Sequence, residues 1–513
     1  MTDRPPDPPR DTAAAAPPVR HTAAKVLTHV EVRGVIIGIA MAMFLGALDQ
    51  TIVATALPTI GQHFGDVENL AWVVTAYLLT GTAVTPLYGK LSDIYGRRLL
   101  MLTGVAIFLI GSVACALAPT MLALIIGRAV QGLGGGGLIA LAQTIIADIV
   151  TPRERGRYQG YISAVFAVSS VGGPVLGGFL TEHIDWSLIF WINLPIGIVA
   201  FFACNHVLRR VPHEPRRHAL DILGAALMMI GAVLLLLALT WGGRRYAWVS
   251  VPIGVLLLGS VVAWLLFGWR LVSAREPFLP LAVLGNPVVR SAALSGACCM
   301  GALVGMTIFV PLYFEVVQGL TASQSGLALI PLMSGTVIAS TVAGRAMMYV
   351  THYKRMGIAG FFEGIVALSV LALWPGTLPM VWVIVLLAIT GLGVGLVFPI
   401  ATVAMQNAVA TSQMGIATGA GNFFRSLFSS VVVAVLGAIV LGSLSGDTSG
   451  VIVESLAQAA AGHDLVTAFR FVFLAVALVL AFGICFLIAM EERPLRGPAA
   501  APSPRRAEKK IGK

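Results

Sequence analysis

Apolar runs of about 20 residues recur along this chain between residues 35 and 490, separated by short polar links. A run of that length crosses the hydrocarbon core of a bilayer as an α-helix. Within lipid every backbone donor and acceptor must be satisfied inside the segment, which leaves little choice but helix. Fourteen spans are expected, over residues 35–56, 70–89, 99–118, 121–147, 159–181, 188–207, 221–240, 250–269, 289–312, 324–346, 357–374, 379–402, 415–442 and 469–490. Of the 513 residues, 58% are hydrophobic and 11% charged, against about 25% charged in soluble domains. Too few charges remain to coat several soluble surfaces, so the chain reads as an all-α polytopic membrane protein.

The ends, residues 1–34 and 491–513, are polar and rich in Pro and Ala, with too little apolar surface to offset the entropy of ordering. No compact hydrophobic stretch with a cleavage site marks a signal peptide. With the N-terminus in the cytoplasm and fourteen alternations, 28 of the 33 Lys and Arg residues fall in cytoplasmic tails and loops, and only Arg244 and Arg245 fall in external ones. That asymmetry places both termini in the cytoplasm of a cell (inner) membrane. It also accounts for the net charge of +10 without a nucleic-acid partner. The cytoplasmic link 403–414, which has no basic residue, is the exception. The five cysteines, Cys115, Cys204, Cys298, Cys299 and Cys485, all lie in apolar runs and form no ligand pair, so they read as buried packing. An ATP-driven pump would need a G-x-x-x-x-G-K-[ST] loop on a soluble domain, which is missing. The nine histidines lie in tails, loops or span edges, so no metal centre or other cofactor is called for.

Four patterns carry chemistry. Between spans two and three, Gly89-Lys90-Leu91-Ser92-Asp93-Ile94-Tyr95-Gly96-Arg97-Arg98 combines turn glycines with an acid that can pair with nearby bases or with a facing helix end. Such a loop suits a latch between helix bundles. Span four holds Arg128, Gln131, Gly132 and the run Gly134–Gly137; an arginine inside an apolar helix calls for a partner or a function. Span five holds Gly172, Gly173, Pro174, Gly177 and Gly178, which suit either a moving bend or a static packing face. Span one holds Leu48-Asp49-Gln50-Thr51-Ile52-Val53-Ala54-Thr55-Ala56-Leu57-Pro58. Read as a lone carboxylate, Asp49 is partly desolvated and poised for reversible protonation; the competing reading is a permanent ion or hydrogen-bond pair.

Taken together, these motifs resemble the major facilitator superfamily, and more closely its fourteen-helix drug:proton antiporter branch, the EmrB/QacA-like group, over about residues 35–490. GKLSDIYGRR is similar to the superfamily's loop signature, RAVQGLGGGG to its span-four arginine motif, and SSVGGPVLGG to the antiporter motif of span five. LDQTIVATALP resembles the branch's span-one motif, with Thr55 where Asn is more usual, and WSLIFWINLPIG its span-six entry, with Ser187-Leu188 in place of Arg-Trp.

The resemblance implies two six-helix bundles, 35–207 and 289–490, with two inserted helices in a linker at 208–288. It implies a proton-coupled secondary transporter, not an enzyme: multidrug efflux by drug:proton antiport with alternating access. Export of a lipid or lipid-like metabolite is the alternative on the same fold, and a non-transporting membrane sensor a remote one. Asp49 and Glu363, the carboxylates inside apolar runs, are the expected proton carriers. Gly89, Asp93, Gly96, Arg97, Arg98, Arg128, Gly173, Pro174 and Gly177 are the expected gating residues. Gln131, Asn422 and Arg425 are candidates for the substrate cavity, Arg425 as a charge partner or a structural anchor. The partners expected are a lipophilic small molecule, protons and the bilayer; no pattern identifies a periplasmic adaptor. Gly344-Arg345 and Lys354-Arg355 echo the first latch but lack a counterpart to Asp93.

Overall fold

A computed structural model describes residues 29–66, 69–209, 220–243, 245–442 and 463–495. Most of the expected polar tails and of the loop at 443–468 lies outside the described residues; of the expected N-terminal tail, residues 29–34 instead form the start of α1. The first half of the chain forms α1 (His29–Phe64), α2 (Leu70–Tyr95), α3 (Arg97–Ala116), α4 (Met121–Gly135), α5 (Leu138–Ile149), α6 (Pro152–His183), α7 (Leu188–Trp191) and α8 (Asn193–Leu208). Next come α9 (Ile222–Trp241), α10 (Val251–Ser273) and the short α11 (Leu281–Leu284). The remainder forms α12 (Pro287–Val316), α13 (Ala322–Leu327), α14 (Ile330–Ala346), α15 (Tyr353–Leu373), α16 (Met380–Asn407), α17 (Met414–Gly442) and α18 (His463–Ala489). Among the described residues no strand is present, and 13 helical stretches are long and apolar enough to cross a membrane. The span expected at 70–89 is not one of the thirteen; it is the continuous 26-residue α2, which carries Thr75, Thr80, Thr82, Thr85 and Pro86. The chain is a multi-pass membrane protein.

Local chemistry sets the boundaries. Gly96, at φ +94°, makes the turn between α2 and α3, a conformation that favours glycine. Thr120 caps α4 by accepting from the Ala123 amide at 3.2 Å. Before α6, Glu154 accepts from the Thr151 amide and hydroxyl, with Pro152 in the first turn. Asp221 caps α9 through the Gly224 amide at 3.1 Å and pairs with Arg270 of α10 at 3.0 Å. Two expected spans are interrupted. The run at 121–147 divides into α4 and α5 at Gly136–Gly137, where these glycines lie against the Gly81 backbone and the Tyr88 ring with no room for a side chain. The run at 188–207 divides into α7 and α8 at Ile192.

Buried apolar residues gather into two clusters among α1–α8 and a third drawn mainly from α9–α18. Large apolar side chains such as Leu122, Phe202, Leu265 and Phe482 stand exposed on the outside, as lipid-facing helices require. The early helices meet the late ones along two seams, α2 against α17 and α6 against α14, while α9 and α10 pair with each other and reach α2 and α17 through α9. Four cysteines are buried, and Cys485, expected to be buried, is exposed on α18.

Candidate functional site

Asp49 is not the lone carboxylate that its apolar neighbours suggest. It is fully buried, and its Oδ2 lies 2.6 Å from Nη1 of Arg128, itself 1% exposed. Asp49 Oδ1 accepts from Gln131 Nε2 at 2.7 Å and from Asn193 Nδ2 at 3.0 Å. Arg128 also donates from Nε to the Val73 carbonyl at 2.9 Å and from Nη1 to Gln131 Oε1 at 2.6 Å. The guanidinium lies 4.4 Å from the centre of the Tyr77 ring. Ser112 accepts from both amides, at 2.8 Å from Gln131 and 3.3 Å from Asn193. Side chains from α1, α3, α4 and α8 thus converge on one net-neutral charge pair. Gln131, expected in the substrate cavity, is fully buried within this cluster. Asn193 and Ser112 were not singled out from sequence; Asn193 lies within WSLIFWINLPIG, where the break at Ile192 starts α8 and its side chain reaches Asp49.

The glycines around the pair let helices approach closely. A Cβ on Gly132 would strike Thr80 and the Tyr77 carbonyl, and one on Gly134 would strike the Phe108 amide and the Gly104 carbonyl. In α6, Gly173 abuts Thr51, and Gly177 abuts Thr55 and the Ile52 carbonyl, whereas Gly172 and Gly178 face open space. The Pro174 turn is therefore pressed against α1 on one side only, just beyond the hydrogen bond from Thr51 to the Ser169 carbonyl at 2.8 Å.

At the end of the molecule where α2 turns into α3, here called the basic end, Asp93 reaches across to α17. Its two carboxylate oxygens accept from the amides of Gly415 (3.2 Å) and Ile416 (3.0 Å), in the first turn of that helix. An acid there meets unpaired N–H groups and the positive end of the helix dipole. Arg97 Nη1 sits 2.6 Å from Asp93, and Arg97 Nε 2.8 Å from Asp148. Asp148, which the sequence reading did not select, lies at the end of α5. Arg98, expected in the latch, instead donates to Asn205 of α8 at 2.6 Å and stays within the early helices. Gly89 lies against the backbones of Gly415 and Gly419, and on the second seam Gly156 lies against Gly344. Arg153 Nε donates to the Met348 carbonyl at 2.6 Å on that second seam.

Further in, the seams carry neutral hydrogen bonds: Thr82 with Ser426 at 2.9 Å, Ser163 with Ser340 at 2.9 Å, and Asn422 Nδ2 to Gln143 Oε1 at 2.8 Å. Asn422 is thus a seam residue. Arg425 is buried behind it in α17, donating to the Gly421 carbonyl at 3.3 Å and to Thr402 at 3.2 Å, with no carboxylate in ion-pair range among the described residues. Among the described residues it is no partner to another charge. Glu363, the other expected proton carrier, is exposed, not buried. The glycine face of α15, Gly360 and Gly364, turns to α16 and α18, so Phe362 and Glu363 point outward and exposed. Glu315 is exposed as well.

Comparison with known proteins agrees with this architecture. The family model "Major Facilitator Superfamily" matches residues 39–434. An uncharacterised MFS-type transporter of Mycobacterium tuberculosis is 34% identical over 456 residues, which cover 88% of this chain and 66%, just under two thirds, of that protein. The multidrug transporter protein MdtP of Bacillus subtilis is 36% identical over 408 residues, 79% of this chain and 74% of its own length. The structure of the proton:xylose symporter XylE superposes with a TM-score of 0.61 at 13% identity, over 91% of this chain and 98% of that one, a likeness of fold. With its residues 39–434 inside the family model and its helices in the same arrangement, the chain belongs to the major facilitator superfamily, whose members are membrane transporters and not enzymes.

Proposed function

We propose that this protein is a proton-coupled exporter of lipophilic small molecules, a fourteen-helix drug:proton antiporter of the EmrB/QacA-like branch. In this reading two six-helix bundles, 35–207 and 289–490, rock about the α9–α10 insert, and the basic end and both termini face the cytoplasm. The observation that carries the proposal is the Asp49–Arg128 pair at essentially zero exposure. Desolvating two charges is expensive, and a membrane span keeps such groups where they serve a pathway. A proton arriving at Asp49 from the external side would neutralise it and release Arg128 to the Val73 carbonyl and Gln131, giving the early helices two electrostatic states. The multidrug name of the Bacillus subtilis relative supports a lipophilic cargo, and the closed seams at the basic end fit the outward-facing half of an alternating-access cycle.

The test is flux in proteoliposomes with an imposed pH gradient, using a panel of lipophilic fluorescent compounds. Flux that rises with the gradient and falls with a protonophore is expected; flux indifferent to the gradient would remove proton coupling. A second reading, export of a lipid or lipid-like metabolite, is favoured by an open apolar groove of about 720 Å³ between α1, α6 and α8. It is lined by apolar residues including Met41, Phe44, Val165 and Val199, several of them exposed on the outer surface. Gradient-driven movement of a labelled phospholipid in the same vesicles would favour that alternative.

A further inference from the structure

Among the described residues three arginines are buried: Arg155, near the start of α6 and bonded to the Ala147 carbonyl, and Arg128 and Arg425 well inside their helices, and these last two are treated differently. Arg128 has a carboxylate at 2.6 Å, a carbonyl, a side-chain amide and an aromatic face. Arg425, 7% exposed, has one backbone carbonyl and one threonine hydroxyl, and its Nη2 has no hydrogen-bond partner. Among the described residues the buried carboxylates are Asp49, Asp221 and, by its side chain, Asp93, and each is taken, by Arg128, by Arg270 and by Arg97. A guanidinium has five N–H donors and cannot shed its charge. Arg425 therefore leaves a positive charge uncompensated, 11 residues along α17 and so about 16 Å from the basic end, near the middle of a ~30 Å hydrocarbon core.

The surroundings of Arg425 indicate what would compensate it. Its stem lies against Gly296 of α12, whose neighbour Ser295 has a buried hydroxyl without a partner. Met405, Phe423, Phe424 and Phe428 supply apolar bulk around the same turns of α16 and α17. Asn422 and Ser426, which flank Arg425 in the helix, are the two residues that bridge to Gln143 and Thr82 across the seam. Gln406, one turn from Thr402 on α16, also reaches the Gln143 carbonyl, at 3.4 Å. Parting the α2–α17 seam at the basic end would break these bridges and expose the polar layer directly in front of Arg425. A cation set in an apolar, partly aromatic wall and uncovered from one side fits an anion with a lipophilic body, because guanidinium pairs bidentately with carboxylate-like groups. It opposes a lipophilic cation, for which no free buried carboxylate is available among the described residues.

We infer that Arg425 is the anion-recognition residue of the transport pathway and that the preferred cargo is an amphipathic monoanion, a lipophilic carboxylate or sulfonate, captured when the basic-end seams open. The inference rests on the transporter reading above and deepens it by naming the class of cargo.

The test uses the full chain and two probes, 8-anilinonaphthalene-1-sulfonate as the anion and tetraphenylphosphonium as the cation. Binding to purified protein in detergent is measured first, independently of any gradient. The anion should bind more tightly than the cation, and Arg425→Gln should weaken the anion by about tenfold or more, the loss of one charge-assisted contact, with Arg425→Lys between the two. Thermal stability separates this from a structural role: removing an uncompensated buried charge should leave the melting temperature equal or higher, whereas a structural anchor would lower it. Gradient-driven flux in proteoliposomes follows, and the anion-to-cation flux ratio should fall in Arg425→Gln. Equal loss of both probes together with a lowered melting temperature, or tighter cation binding in the wild type, would overturn the inference. Anion binding that needs Arg425 without gradient-driven flux of either probe would preserve it while sinking proton-coupled export.

Discussion

Asp49 and Arg128 each satisfy the other, so the consequence of losing one is decided by what remains. Asp49→Asn keeps hydrogen-bonding capacity but strands the guanidinium of Arg128 at 1% exposure. Breaking one side of a buried pair costs about 3–5 kcal/mol, so Asp49→Asn should lose stability as well as the proposed proton coupling. Adding Arg128→Gln removes the stranded charge and should recover most of the melting temperature while proton-driven flux stays absent. Thermal unfolding of the two single variants and the double variant checks this; a double variant as unstable as Asp49→Asn would mean the two residues do not act as a unit. Sequence made Asp49 and Arg128 conspicuous, because charges stand out in apolar runs. It did not join them: they are 79 residues apart, and no local spacing records a contact between α1 and α4. Ser112 was invisible for the opposite reason, since a lone serine in a membrane helix is unremarkable until two amides point at it. Glu363 shows the converse error, because an apolar run around a carboxylate does not say which face of the helix it occupies.

At the scale of elements, the contact that matters most is an acid from α2 seated on the first turn of α17. Asp93→Asn would keep the shape and lose the charge that meets the Gly415 and Ile416 amides and Arg97. A charge-assisted contact of this kind is worth about 1.5–3 kcal/mol, comparable with the gap between two conformers of a transporter. Gly89→Val should act in the same direction by wedging, since a Cβ at Gly89 already comes within 2.5 Å of the Gly415 carbonyl. Both variants should raise thiol labelling of cysteines introduced on the seam faces of α2 and α17, reached from the basic end. Cys485 should first be replaced, because it alone among the native cysteines is exposed. Unchanged labelling in both variants would reduce the Asp93 contact to a passive cap. The motif's turn and its acid were legible from glycine spacing, as was the option of a facing helix end. Which helix supplies that end was not, because α17 lies more than 300 residues further on. Most helix positions were legible, since bilayer thickness sets a typical span, but lengths were not: α1 runs over 36 residues where 35–56 was expected. The interruptions at Gly136–Gly137 and Ile192 were not, because they arise from neighbouring backbones and rings that a hydropathy pattern does not contain.

Over the whole molecule, the class and the broad architecture follow from hydropathy and motifs, while the face each helix turns inward had to be found in the packing. The two seams that close the basic end are built in the same way: at Gly89 with Gly415 and Gly419, and at Gly156 with Gly344, backbone lies on backbone with no side chain between. Two glycine ridges in contact are dry, and parting them wets peptide groups rather than freeing apolar side chains. The transport cycle should therefore be a hydration equilibrium as well as a mechanical one. Osmolytes such as trimethylamine N-oxide or sucrose are excluded from protein surface and favour its burial. Raising them at constant pH should hold the seams shut, lowering thiol labelling at the basic end and slowing turnover together. Labelling and turnover that do not respond to osmolyte would mean that little backbone is wetted when the seams part. If the response is present, water activity becomes a control on the proposed transport cycle alongside the chemical potential of its cargo.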